Sequence, residues 1–177
     1  MFYTGKGDSG DTSLFGSSER VYKDSVECET LGALDELNSF IGFVKDEDID
    51  VNELELREVL TTVQQSIFTI QGEFAGAETI ILEDKVQELE DIIAGIEKNV
   101  TPVDSFILPG TTKASAEFDV LRTLVRKVER RVVTLQRGGN ASIASTTLTY
   151  LNRLSSFFYA LARLAEEGGE REVPTYE

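Results

Sequence analysis

The sequence predicts an all-α fold, a bundle of five helices in one domain, and three observations predict it. Apolar residues recur at helical spacing along five separate stretches, with the seven-residue repeat that lets helices pack side by side. Glycines, prolines and one acidic run interrupt those stretches at short intervals, which suits helices joined by brief connections. No stretch reads convincingly as a strand. At 177 residues the chain suits one domain, 1–177, with a substantial core. Within it fall a glycine-rich segment at 1–21, the helical bundle at 25–166 and a loose tail at 170–177. Internal repeats and low-complexity tracts are absent.

The first helix is expected at 25–45, with Leu31, Leu34, Leu37 or Asn38, and Ile41 on one face. Asp35 stands beside that face and, taken alone, is a surface carboxylate. The run at 46–50 is a solvated acidic loop. A second helix at 52–78 places Leu56, Leu60, Val63, Ile67, Ile70 and Phe74 on its apolar stripe. A third at 83–98 carries Val86, Leu89, Ile93 and Ile96, and closes at Thr101-Pro102, because proline disfavours helix at the residue before it. Residues 105–110 form a short apolar connection ending in a Pro-Gly turn, where Phe106 has the usual fate of a core plug open to it. The fourth helix, 112–136, stops at Gly138-Gly139. The fifth, 142–166, buries Ile143, Tyr150, Leu151, Leu154, Phe158 and Leu161 and stops at Gly168-Gly169.

On the fourth helix Leu121, Val125, Val128 and Val132 make one buried stripe. Arg122, Arg126, Glu129 and Arg130 follow the same spacing one residue along, about 100° round the helix and beside the seam. Such a row is either a solvated charged face or the wall of a cleft. The rest of the chain bears on the choice. Net charge is −15, yet seven of the 17 basic residues lie between Lys113 and Arg137. Cations concentrated in an acidic protein point to a small polyanion held in a pocket. The same acidity argues against nucleic-acid backbones and anionic membranes as partners, and no apolar run reaches the ~20 residues of a membrane span.

The chain has no histidine, which removes imidazole acid–base catalysis, histidine-dependent triads and imidazole metal sites. An enzyme of this composition positions reactive partners or borrows its chemistry from a cofactor. The N-terminus lacks a signal-peptide layout, so a cytoplasmic location is expected, and the lone Cys28 suits a reducing compartment as a buried structural thiol.

Residues 4–13 pack glycine, hydroxyls and Lys6 together. Glycines let a backbone wrap a ligand with its N–H groups inward, Lys6 adds a point charge, and Thr or Ser hydroxyls can help hold magnesium. The pattern is not a Walker A loop, and a frayed tail is the other reading.

Five pieces in order resemble one family, the PduO-type ATP:cob(I)alamin adenosyltransferases. They are residues 3–15, Asp35-Glu36-Leu37-Asn38-Ser39, Phe106-Ile107-Leu108-Pro109-Gly110, Arg126-Lys127-Val128-Glu129-Arg130-Arg131 and Tyr150-Leu151-Asn152-Arg153-Leu154-Ser155. Each is weakly diagnostic; together they span nearly the whole chain. The resemblance implies a homotrimer of five-helix bundles with ATP at the subunit interfaces. It implies that the 5′-deoxyadenosyl group of ATP passes to the cobalt of cob(I)alamin, giving adenosylcobalamin and triphosphate. Thr4, Gly5, Lys6, Gly7, Asp8, Thr12 and Ser13 inherit the phosphate-wrapping loop, and Arg122, Arg126, Glu129, Arg130 and Asn152 the nucleotide contacts. Asp35 matches a carboxylate that pairs with the counterpart of Arg122 across the interface, and Phe106 an aromatic that displaces the lower axial ligand of the corrinoid. Arg126, Phe106, Asp35 and Arg122 are thus the expected catalytic set. Magnesium is expected to be held mainly through ATP rather than by a protein metal site. A reductase and an adenosylcobalamin-dependent enzyme are the expected partners beyond the substrates.

The chain departs from the family wording in two places, at Lys127 and in the loop at Gly5-Lys6 and Ser9-Gly10-Asp11. Lys127 stands where a second consecutive arginine is usual, and a lysine lacks the bidentate fork. Asp11 places an extra carboxylate near the phosphates. A non-catalytic helical ATP-binding or sensor module is the alternative, and a purely structural bundle, against which the arginine row argues, the third.

Overall fold

The glycine-rich start of the chain folds as a hairpin, which the sequence reading did not anticipate. Strand β1 (Asp11–Ser13) pairs antiparallel with β2 (Arg20–Tyr22), setting Asp11 opposite Tyr22, Thr12 opposite Val21 and Ser13 opposite Arg20. Strands of three residues are too short to display the alternation that marks a strand in sequence. The computed structural model describes residues 2–14, 17–45, 55–139, 142–166 and 168–175. The acidic loop expected at 46–50 and the expected helix start at Asn52 lie outside the described residues.

Five helices follow: α1 (Val26–Lys45), α2 (Leu56–Phe74), α3 (Glu83–Glu97), α4 (Lys113–Arg137) and α5 (Ser145–Leu164). The α4–α5 seam is the most extensive; α1 covers α4, α3 covers α5 and α2 lies against α1. The α4 stripe of Leu121, Val125, Val128 and Val132 is fully buried, facing Leu151, Leu154, Phe158 and Leu161 from the α5 side of the core. Each such side chain contributes ~1.5–3 kcal/mol on leaving water. On α1 the buried face is Thr30, Ala33, Leu34, Leu37, Asn38, Ile41 and Val44, while Leu31 is only half-buried. Cys28, expected to be buried, is also half-exposed, near the start of α1 where the helix has not yet run under its neighbours.

Helix ends differ from expectation for local reasons. α2 ends at Phe74 rather than 78 because Gly76 takes a left-handed φ of +83°, which only glycine adopts without strain. α4 begins after Thr112, whose hydroxyl accepts from the Ser115 N–H at 3.0 Å, while the Thr112 N–H donates to Ser115 Oγ at 2.9 Å. The same Thr112 hydroxyl donates to the Ala165 carbonyl at 3.0 Å, tying the start of α4 to the end of α5. α5 begins at Ser145, and a carboxylate from another helix caps it. Glu73 at the end of α2 accepts from the Ala144 N–H and the Thr147 hydroxyl, both at 2.6 Å. Among the described residues no helix is long and apolar enough to cross a membrane.

Candidate functional site

Burying Leu121 and Val125 turns the neighbouring Arg122 and Arg126 toward the edge of the α4–α5 seam. There they line a cleft of about 630 Å³ between α3, α4, α5 and the segment at 100–103. Ile93, Ile96 and Val100 give it an apolar wall; Ser155, Ser156 and Tyr159 face in from α5. Arg122, Arg126 and Arg163 oppose one carboxylate, Glu97, so the lining is cationic within a chain of net charge −15. The arginine row therefore lines a cleft over its first two members.

Behind that wall lies an ionic chain that sequence reasoning missed. Arg122 Nε donates to Asp119 Oδ1 at 2.7 Å, and Asp119 Oδ2 accepts from Arg163 Nη2 at 2.7 Å. Arg163 also meets Glu166 at 2.9 Å, and Glu166 meets Arg171 at 3.3 Å. The Arg163 guanidinium lies 5.0 Å from the centre of the Tyr159 ring, a cation–π contact. The available signal was Arg163 itself, a cation inside the apolar run Ala160-Leu161-Ala162-Arg163-Leu164 that can be buried only with a carboxylate partner.

Beyond the cleft, Asn152 on α5 donates to Glu129 on α4 at 3.2 Å, so these two expected nucleotide contacts adjoin. Arg126 and Arg130 are exposed. Lys127 pairs with Glu36, and Arg131 with Glu29 at 2.9 Å, so both basic side chains reach α1 instead of the cleft. The lysine at 127 thus has an ion pair of its own, which a point charge satisfies as well as a fork. Asp35, on the same turn of α1 as Glu36, is exposed.

The hairpin orders Thr4, Gly5, Lys6, Gly7, Asp8, Thr12 and Ser13 through its backbone. Arg20 donates to the Lys6 carbonyl at 2.6 Å, Lys23 donates to the Gly7 carbonyl at 2.8 Å, and the Asp8 N–H reaches the Gly5 carbonyl at 3.3 Å. A side chain at Gly7 would stand 3.1 Å from the Lys23 ammonium and 3.3 Å from the Asp11 carbonyl oxygen, so the close approach calls for glycine. Asp11 is bound by Arg20 through two contacts of 2.6 and 2.8 Å and by the Ser9 hydroxyl at 2.6 Å. The Arg20 guanidinium, helped by Ser9, holds the Asp11 carboxyl well below the usual carboxylate range. The extra carboxylate is therefore neutralised inside the hairpin.

Phe106 is 79% exposed, which excludes the core-plug reading. Its connection is pinned where the Leu108 N–H donates to the Glu172 carbonyl at 2.9 Å. The structure thus brings Arg122 and Arg126 together in the cleft and Glu129 to Asn152, while the cleft lining includes neither the hairpin, nor Phe106, nor Asp35. Among the described residues, no group of three or more Cys, Asp or Glu is placed to hold a metal ion.

A family model described as cobalamin adenosyltransferase matches residues 2–165 of this chain. The chain is 38% identical over 167 residues to the corrinoid adenosyltransferase of Bacillus subtilis strain 168, covering 92% of this chain and 84% of that one. It is 31% identical over 182 residues to the human corrinoid adenosyltransferase, covering 97% and 72%. Among solved structures, a variant PduO-type ATP:corrinoid adenosyltransferase from Lactobacillus reuteri complexed with cobalamin and ATP matches with a TM-score of 0.88. Its identity is 30%, over 99% of this chain and 100% of that one. A second Lactobacillus reuteri variant, complexed with ATP, matches with a TM-score of 0.86 and 31% identity over 98% and 100%.

Proposed function

This chain belongs to the cobalamin adenosyltransferase family, and we propose that ATP lays its triphosphate along the cationic wall made by Arg122 and Arg126. The protein is an ATP:corrinoid adenosyltransferase: it transfers the 5′-deoxyadenosyl group of ATP to the cobalt of cob(I)alamin. In that reaction a cobalt–carbon bond forms at the ribose 5′-carbon as the carbon–oxygen bond to triphosphate breaks, and the electron pair leaves with the triphosphate. No proton moves in the bond-forming step, which agrees with a chain that has no histidine.

The protein's tasks are then to aim the 5′-carbon, to stabilise charge on the departing triphosphate and to keep water out. Arg122 and Arg126 supply guanidinium donors on one wall. The hairpin residues Thr4, Gly5, Lys6, Gly7, Asp8, Thr12 and Ser13 would close over the phosphates from a neighbouring subunit. Glu129, Arg130 and Asn152 would hold the nucleoside end. Magnesium would arrive on the triphosphate and neutralise part of its charge; the Asp8 carboxylate and the Thr12 and Ser13 hydroxyls are the hard oxygen donors that suit it.

A homotrimer with three shared sites fits this division, since the cleft lining includes none of the hairpin. Asp35 is exposed on α1 and would pair with Arg122 of a neighbouring subunit, using the terminal nitrogens while Nε serves Asp119. Phe106, exposed on its pinned connection, would occupy the lower face of the corrinoid. A reductase delivering cob(I)alamin and an enzyme taking the product are the partners this chemistry calls for, in a reducing cytoplasm.

The observation that carries the assignment is the cleft with Arg122 and Arg126 in its wall. Calorimetric titration with ATP and turnover of reduced cobalamin test it together on Arg126→Ala. Losing a charged donor aimed at developing charge costs ~10²–10³ in rate, and Arg126→Lys should recover only part of that. An Arg126→Ala enzyme within about two-fold of wild type would remove Arg126 from the site.

A further inference from the structure

Resting on the assignment of Arg122 to the triphosphate, we infer that Asp119 is a positioning residue. It fixes the Arg122 guanidinium at the cleft wall and is itself fixed by Arg163 and Glu166.

An arginine reaching into a cleft has ~2 kcal/mol of rotamer entropy to lose before its donors aim in one direction. A carboxylate three residues back on a solvated helix face restrains it weakly. Asp119 is different because its side chain is only 6% exposed and both oxygens are committed. Oδ1 takes Arg122 Nε and Oδ2 takes Arg163 Nη2, each at 2.7 Å. Arg163, also 6% exposed, meets the fully buried Glu166 carboxylate through the same Nη2, an ion pair at 2.9 Å. Glu166 in turn meets Arg171.

The result alternates in sign, Arg122–Asp119–Arg163–Glu166–Arg171, so each carboxylate is shared by two guanidiniums. The two Asp119 links are charge-assisted hydrogen bonds and the two Glu166 links are ion pairs, and a buried member removed leaves its neighbour's charge uncompensated. Asp119 therefore cannot swing out to release Arg122. The direction of that guanidinium becomes a property of the α4–α5 seam. The bond through Nε leaves the two terminal nitrogens to divide between the triphosphate and Asp35 of a neighbouring subunit, which is how an arginine presents a preset fork. Arg126, one turn further along α4, is exposed. On this geometry the two cleft arginines divide their work: Arg122 is preset, and Arg126 adapts.

The competing role for Asp119 is simply to neutralise buried Arg163. The two roles separate in a double-mutant cycle on the full-length enzyme, measuring ATP KM, corrinoid KM, kcat and melting temperature. Asp119→Asn should raise the ATP KM on the order of ten-fold, since a misaimed ligand is lost from ground-state binding, with corrinoid KM within about two-fold. In an Arg122→Ala background the same change should add less than about two-fold, because Asp119 acts through Arg122. Equal losses in both backgrounds, with a lowered melting temperature, would mean that Asp119 only compensates Arg163, and the inference fails. Asp119→Glu keeps the charge that Arg163 needs and is the variant to read if Asp119→Asn does not fold. Its carboxylate sits one methylene further out, and the ATP KM should still rise several-fold. A folded Asp119→Glu enzyme with wild-type ATP KM overturns the inference. If Arg122→Ala alone leaves the ATP KM unchanged, the assignment of Arg122 to the triphosphate falls, and the role of Asp119 with it. If Arg122→Ala is impaired and both Asp119 variants are normal, only the positioning role falls.

Discussion

Burying a phenylalanine stabilises a protein by ~1.5–3 kcal/mol, yet Phe106 stays 79% exposed. Truncating it therefore removes little from the fold, and its effect should appear in the chemistry. Phe106→Ala should melt within a few degrees of wild type, bind ATP normally and lose most activity from cobalt(II) corrinoid, its complex giving a five-coordinate cobalt(II) spectrum. Wild-type turnover with an unchanged four-coordinate spectrum would assign the lower face to another residue. Tyr150 is the opposite case, a phenol buried beside Ser66 whose pKa burial pushes up to about 12. A pKa raised above the unfolded value means that the folded state holds the proton longer. This contribution is complete below pH 10 and is lost as pH rises toward about 12, by roughly 2–3 kcal/mol at full ionisation. Melting temperature should thus fall over that alkaline window, and less steeply in Tyr150→Phe. Identical slopes for the two proteins would exclude Tyr150 as the cause. Asp11 has the reverse sign: its pKa is depressed by Arg20, so the pairing persists as pH falls through the ordinary carboxylate range.

Among the elements, the ends of α4 and α5 carry more of the architecture than their apolar stripes disclose. The Thr112 hydroxyl caps α4 and also donates to Ala165 at the end of α5. An N-cap threonine is worth ~1 kcal/mol, and a second bond from the same oxygen adds a similar amount. Thr112→Ala should lower the melting temperature by roughly 4–8 °C for a chain of this size, and Thr112→Ser should restore most of it. A shift under about 1 °C would show that water replaces both bonds. The stripes themselves were legible in the sequence, because 3.6-residue spacing is a local property that each helix writes into its own residues: Leu121, Val125, Val128 and Val132 are buried as expected. The edge position of Arg122 and Arg126 followed from the same arithmetic. What could not be read are contacts between elements distant in sequence. Glu73 caps α5 from α2, Asp119 binds Arg163 across the seam, and Arg20 holds Asp11 within a hairpin whose strands are three residues long. Periodicity says which face turns inward; it does not say which carboxylate a buried cation will meet.

For the whole molecule, the division of the site decides what assembly must supply. The cleft lining contains neither the hairpin nor Asp35, so completing the site from a second copy is the prediction to test. Asp35→Asn should weaken ATP use or loosen the proposed trimer, with an effect below the ~3–5 kcal/mol of a stranded buried charge because Arg122 keeps Asp119 as a partner. Unchanged KM, kcat and mass by light scattering in Asp35→Asn would remove the pair. The bond between Leu108 and Glu172 has its own consequence, since it fastens the stretch that bears Phe106 to the far end of the chain. Val173, exposed and adjacent to that fastening, is a natural address for a spectroscopic label. The chain has one native thiol, Cys28, so Cys28→Ser with Val173→Cys leaves a single attachment point. A dye there would report, from outside the cleft and in real time, whether adding corrinoid changes the surroundings of the Phe106 stretch.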